Sequence, residues 1–156
     1  ERERRRAEIL EGRLVLADGI SFAARDIQAT EIIDIATLTG ASAVAIGKNM
    51  GATCSNNEKL EQTLVMLSRE AGEPLFPIPY APELLQAEFQ SKIADMKNSV
   101  KDRANAQASC AAQFIANHLP NPSPRWLHID MSGPTRVGGS ATGFGTGLLL
   151  HFLNKS

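Results

Sequence analysis

The chain is 156 residues long, with 16 basic and 17 acidic side chains and a formal net charge of −1. Apolar types make up 43% and charged types 21%, which excludes a disordered polymer or a coiled coil and suits a single globular domain. A near-balanced charge argues against nucleic acid or an anionic membrane as partner, and no apolar run approaches the ~20 residues of a bilayer span.

The opening run Glu1 to Arg6 leads into no apolar stretch and reads as an atypical, poorly ordered extension covering residues 1–10. The chain begins with Glu1 rather than Met, and it reads as a piece of something longer. Gly12 to Ala24 is expected to be a helix, because Leu14, Ala17 and Leu16, Ile20, Ala23 recur at spacings of three and four. Glu31 to Thr37 is short and rich in β-branched residues, the mark of a buried strand. Ala41 to Ile46 could be a short helix or a strand, and Gly51 to Cys54 reads as a strand. A long helix is predicted from Asn56 to about Ala71, opened by a Ser55/Glu58 capping box, striped by Leu60, Leu64 and Leu67, and closed by Gly72. Pro74 to Pro82 is expected to be an extended connector, with Pro82 starting a helix that carries Leu85 and Phe89. Gln107 to His118 is a further predicted helix that faces Cys110, Ala111, Phe114 and Ile115 inward, and Pro120 ends it. Trp126 to Asp130 is a predicted strand and Thr142 to Leu153 a closing helix. This alternation implies an α/β domain, a mixed sheet flanked by helices.

Most signatures of chemistry are missing: there is no HExxH, no CxxC, no GxSxG and no Walker loop. Cys54 and Cys110 form no disulfide framework and are expected to be reduced thiols of an intracellular protein. Gly143 to Gly147 resembles a phosphate loop but lacks the following Lys-Ser/Thr, so its glycines read as allowing close helix packing. His128 and Asp130 share a strand face and could be two metal ligands, although a polar rim at a strand end is the plainer expectation. His118 and His151 read as residues at helix ends or faces, explained by ordinary packing or dipole contacts. Asp34 lies inside an apolar strand, where a carboxylate needs a partner, either a functional one or a structural Lys or Arg. Asp95 to Ser99 is a polar cluster of the kind found on loops that converge on sites.

Two segments sharpen this picture: Glu11-Gly12-Arg13-Leu14-Val15-Leu16-Ala17-Asp18 and Asp34-Ile35-Ala36-Thr37-Leu38-Thr39-Gly40-Ala41. Together with Ala94 to Asn98, His128-Ile129-Asp130 before Gly133-Pro134, and Ala141-Thr142-Gly143, in that order, they resemble the catalytic domain of leucyl aminopeptidases, peptidase family M17. The run Ala94 to Ser109 is most similar to the probable-aminopeptidase branch of that family. The resemblance covers residues 11–156 and implies the C-terminal part of such a domain.

What the resemblance implies is removal of N-terminal residues such as leucine from peptides by two bridging divalent ions, zinc or manganese, in a cytoplasmic hexamer. It carries over Glu11 as a metal ligand and Arg13 as the catalytic arginine, which with Gly12 holds a bicarbonate. A carboxylate suits a hard cation and a guanidinium fork suits a planar anion. It also makes Thr37, Leu38, Thr39 and Gly40 contacts to the substrate backbone, and Ser132 a small residue lining the first side-chain pocket. The family motif is Asn-Thr-Asp-Ala-Glu-Gly-Arg, and here its ligand Asp falls on Ile9 and the adjoining Ala on Leu10. Glu8 is one residue out of register. The family's remaining ligands, a Lys and two Asp, and its catalytic Lys lie upstream of this motif. The expectation is therefore a 156-residue chain of aminopeptidase lineage that is catalytically poor by itself, or alternatively a non-catalytic subunit of a homologous hexamer.

Overall fold

The computed structural model describes residues 2–100, 102 and 104–155, with side chains described from residue 12 onward within that set. Four strands form a mixed sheet: β1 (Glu31–Ala36), β2 (Gly51–Ser55), β3 (Leu75–Pro77) and β4 (Arg125–Asp130), in the order β1-β4-β2-β3. β1 runs parallel to β4 and β2 antiparallel to it, while β3 runs parallel to β2. The predicted α/β class and mixed sheet are what the chain forms.

Strand alternation divides the packing. Trp126, Ile32, Ala52 and Cys54 face a core completed by Ile20 of α1 (Arg2–Arg25) and by Ala108, Ala111, Ala112 and Ile115 of α5 (Gln107–Ala116). Leu127 and Ile129 face the opposite core, with Leu60, Leu64 and Leu67 of α3 (Glu58–Glu70) and Leu148 of α6 (Thr146–Lys155). Because β4 is buried on both faces, it reads as a near-continuous apolar run interrupted by His128 and Asp130.

Several local expectations are corrected. The cap of α3 is Asn57, whose side chain accepts from the Leu60 N–H, and not Ser55. Ser55 Oγ donates to the Trp126 carbonyl at 2.6 Å and accepts from the Asn57 N–H at 3.0 Å, so it is engaged ahead of the helix rather than with the Glu58 N–H. The connector from Pro74 holds a strand, β3, since the Gly51 N–H donates to the Pro74 carbonyl and draws the segment onto the sheet edge. The ambiguous Ala41–Ile46 run is helical, as α2 (Gly40–Ile46). Pro82 starts α4 (Pro82–Leu85) as expected, continued by a 3₁₀ turn to Phe89.

The closing helix starts at Thr146, four residues later than predicted. Gly143 and Gly145 have φ of 73° and 96°, so they serve a turn rather than helix packing. Ahead of them lies a small hairpin, β5 (Arg136–Val137) and β6 (Ser140–Ala141), unforeseen in the sequence although Gly138-Gly139 is its turn. The Glu73 carboxylate accepts from the Leu148 N–H at 2.7 Å and so occupies the start of α6 with protein negative charge. That placement opposes a phosphate at this glycine-rich loop.

Candidate functional site

The polar residues of β4 lie within the core, not on a rim. His128 and Asp130 are 1% and 2% exposed. In register, β1 places Asp34 beside His128, and β2 places Cys54 on its other side. Asp34 is held by a 2.5 Å contact to His128 Nδ1 and by a 2.7 Å hydrogen bond from the Trp126 indole N–H. Its partners are thus a histidine and a tryptophan rather than the Lys or Arg considered from sequence. Both carboxylate oxygens are engaged across the sheet, which stabilises a buried acid within an apolar strand. His128 Nε2 is buried with no hydrogen-bond partner among the described residues.

One step toward the end of β4, Asp130 is the centre of a second network. One oxygen accepts from the Leu38 N–H at 3.1 Å, the Ser132 N–H at 3.0 Å and the Ser132 hydroxyl at 2.6 Å. The other accepts from the Thr39 N–H at 2.9 Å and the Thr39 hydroxyl at 2.8 Å. The β1–α2 turn, Thr37 to Gly40, is thereby tied to the residue that follows β4. Thr39 also caps α2, accepting from the Ser42 N–H, so one side chain serves helix and turn together. Leu38 and Thr39 are buried, while Thr37 and Gly40 are exposed on the outer side of the turn. Gly40 and Ala41 border an open cleft of ≈ 620 Å³ walled by Val44, Ile78, Pro79 and the start of α5.

Arg13, on α1, is 4% exposed. Its guanidinium donates to the Asn98 carbonyl at 2.6 Å, which brings the polar 95–99 segment against the helix. Burial lowers the pKa of Arg13, and the nearby Asp130 and Cys110 charges act against that shift. Arg13 Nε is buried without a hydrogen-bond partner among the described residues. The structure therefore gathers Leu38, Thr39 and Ser132 around Asp130, with Thr37 and Gly40 on the same turn, while Arg13 is held by the Asn98 carbonyl. Gly12 adjoins Arg13 on α1, with nothing among the described residues within 4 Å of the Cβ it lacks. The side chains of Glu11, Ile9 and Glu8 lie outside the described residues.

Asp130 is the residue that sequence reasoning undervalued. Its signal was present: a buried strand ending in a carboxylate, followed two residues later by Ser132, can form such a local bond. The partner turn, 91 residues earlier in sequence, could not be read from spacing. His151 contacts the Gly147 carbonyl one turn back on α6, whereas α5 ends at Ala116, short of the predicted His118, which lies in the following turn and contacts the Phe114 carbonyl. Among the described residues there is no group of three or more His, Cys, Asp or Glu side chains able to hold a metal, and no helix long and apolar enough to cross a membrane.

Comparison with known proteins places this geometry in context. The profile of the cytosol aminopeptidase family, catalytic domain, matches residues 9–150. The chain is 47% identical over 147 residues to the human "Probable aminopeptidase NPEPL1", covering 94% of this chain and 28% of that protein. It is 40% identical to Leucine aminopeptidase 1 of Caenorhabditis elegans, covering 93% of this chain and 30% of that protein. Among solved structures, leucyl aminopeptidase from Trypanosoma cruzi superposes with a TM-score of 0.89 at 43% identity, covering 93% of this chain and 29% of that one. The chain thus spans less than a third of the length of these relatives.

Proposed function

The chain belongs to the cytosol aminopeptidase family, and from that membership we propose that it supplies the substrate-backbone and anion-holding side of a metal-dependent aminopeptidase site. The observation that carries this reading is the buried Arg13, whose Nε has no hydrogen-bond partner among the described residues. In this reading Arg13, next to Gly12, holds a bicarbonate-like planar anion. The orphaned, buried N–H fits that group, because a guanidinium edge satisfies a planar oxyanion through paired donors. Leu38 and Thr39 have given their N–H groups to Asp130, so in this reading a peptide meets the turn through its other polar groups, the exposed Thr37 hydroxyl among them. Ser132 borders the position of the first side chain, where a small residue leaves room.

The described residues do not fit a two-ion centre by themselves. They contain no cluster of three ligand-type side chains, and Ile9 stands where the family motif has an aspartate. No step is therefore derived through a metal. The reading expects the 156-residue chain alone to leave leucine amide uncleaved. Release of leucine that a chelator abolishes would overturn that expectation. A second reading is favoured by Ile9: a non-catalytic subunit that assembles with a homologous aminopeptidase hexamer. Molar mass by light scattering, for the chain alone and mixed with an intact relative, distinguishes the two, since only the second expects a mixed assembly.

A further inference from the structure

We infer that Glu88 is a positioning residue of the site: its carboxylate gathers the turn at Asp102 and Asn105, and so holds the Asn98 carbonyl on Arg13 and one wall of the cleft beside Gly40; this rests on the function proposed above. Glu88 lies on the 3₁₀ turn that follows α4 and is 9% exposed. A carboxylate so placed needs donors from the protein, and two residues further along the chain supply them. Glu88 Oε2 accepts from the Asp102 N–H at 3.1 Å, and Oε1 accepts from the Asn105 side-chain amide at 2.9 Å. The neighbouring Phe89 carbonyl accepts from the Lys97 N–H at 3.0 Å. One short turn therefore holds the segment ahead of α5 at two places. Met96 and Val100 add apolar contact there, packing on the core that contains Leu85, Phe89 and Phe114.

Both places lead to the site. Asn98 adjoins Lys97, and its carbonyl accepts from Arg13 Nη1 at 2.6 Å, which fixes the guanidinium while its Nε stays open. At the other end, Ala104 and Ala106 wall the cleft that Gly40 borders. Ala106 has φ of 42°, a left-handed backbone that an alanine keeps only where its surroundings hold it. Those holders are adjacent. The Asn105 side chain is bonded to Glu88, and the Asn105 carbonyl accepts from the Cys110 thiol at 3.4 Å. Asp102 Oδ1 accepts from the Ala104 N–H at 2.9 Å, so the turn is a closed piece that Glu88 takes up whole. Removing the carboxylate should therefore release both ends together, freeing Arg13 from its fixed partner and loosening the cleft wall. A residue that supported only the local fold would release the turn and leave Arg13 as it was.

The test uses the full chain, its Glu88→Ala variant and NMR. Amide exchange at Asp102 should accelerate about tenfold or more, the worth of one hydrogen bond to a charged group. Exchange at Lys97 and at the Arg13 guanidinium protons should quicken with it, while the Leu64 amide of α3, in the opposite core, stays unchanged as a control for the fold. Sodium bicarbonate, titrated at constant ionic strength and followed at the Arg13 Nε–H resonance, should bind several-fold more weakly in the variant, because the freed side chain must be ordered again on binding. Faster exchange at Asp102 with Lys97 and Arg13 unchanged would overturn the inference and make Glu88 a local support. Unchanged exchange at all three would overturn it as well. If Glu88→Ala does not fold, Asn105→Ala decides, since it removes one of the two bonds to the carboxylate: exchange at Lys97 and Arg13 should quicken about twofold or more. No change at either would refute the role given to Glu88. A wild-type Arg13 that ignores bicarbonate would sink the anion-holding reading alone, and the guanidinium exchange would then judge Glu88.

Discussion

Gly133, directly after the candidate site residue Ser132, offers a sharp test of how tightly the end of β4 is packed. A Cβ built there would lie 3.0 Å from the Gly47 carbonyl oxygen, 3.1 Å from the Lys48 carbonyl oxygen and 3.2 Å from the Lys48 carbonyl carbon. All three are backbone atoms of the α2–β2 loop, so no side-chain rotation can relieve the contact. Forcing a methyl group into a packed backbone costs about 1–3 kcal/mol. With a urea slope of about 2 kcal/mol/M, a 2 kcal/mol loss lowers the unfolding midpoint by about 1 M. Gly19 is the control, because a Cβ there meets nothing within 4 Å and the residue is exposed within α1. Gly19→Ala should raise stability by about 0.5–1 kcal/mol through helix propensity. The assay is urea denaturation followed by the fluorescence of the single tryptophan, Trp126, which is fully buried. Equal midpoints for Gly133→Ala and wild type would refute the steric reasoning.

Removing the cap of α3 with Asn57→Ala should cost about 1 kcal/mol, read from the same denaturation curves, whereas a comparable loss is not expected from Glu58→Gln. Glu61 has its pKa raised above 4.5, chiefly by burial, with the Thr53 hydrogen bond opposing the shift. The folded state therefore binds the proton more tightly than the unfolded chain, and stability falls as pH rises from 4.5 through the raised value. Glu61→Gln should raise the unfolding midpoint at neutral pH and flatten that slope; a lower midpoint would contradict the sign. Burial raises the thiol of Cys54 strongly and pushes Cys110 up to about 11. Both are free and buried, so a thiol reagent at pH 8 should titrate them only on unfolding, and fast reaction of the native chain would count against the packing around them.

The parts of the fold legible in sequence were those with local causes. β1 was marked by its β-branched residues and α3 by its apolar spacing, and Leu60, Leu64 and Leu67 are the buried stripe of α3. Pro82 marked a helix start for steric reasons that need no tertiary context, whereas α5 ends at Ala116, two residues short of the end predicted ahead of Pro120. What could not be read depended on distant partners. Ser55 looked like a cap until its hydroxyl was drawn to the Trp126 carbonyl, 71 residues away. The glycines before α6 looked like packing residues because their positive φ values are set by the turn after the β5–β6 hairpin. His128 and Asp130 looked like a rim because nothing in β4 itself indicates that Asp34, Leu38 and Thr39 satisfy them. The candidate site residues Arg13, Leu38, Thr39 and Ser132 were named through family resemblance alone, and the hydrogen bonds by which Asp130 joins the last three emerged only from the geometry.

The central claim is that these residues form the anion- and backbone-holding side of an aminopeptidase site without forming a two-ion centre by themselves. Metal stoichiometry tests it most directly, by equilibrium dialysis of the purified chain against zinc and then manganese. The expected result is at most one weakly held ion per chain, because Ile9 cannot coordinate and the described residues supply no ligand cluster. Two tightly held ions per chain would contradict the claim and would require this chain to carry a complete ligand set of its own.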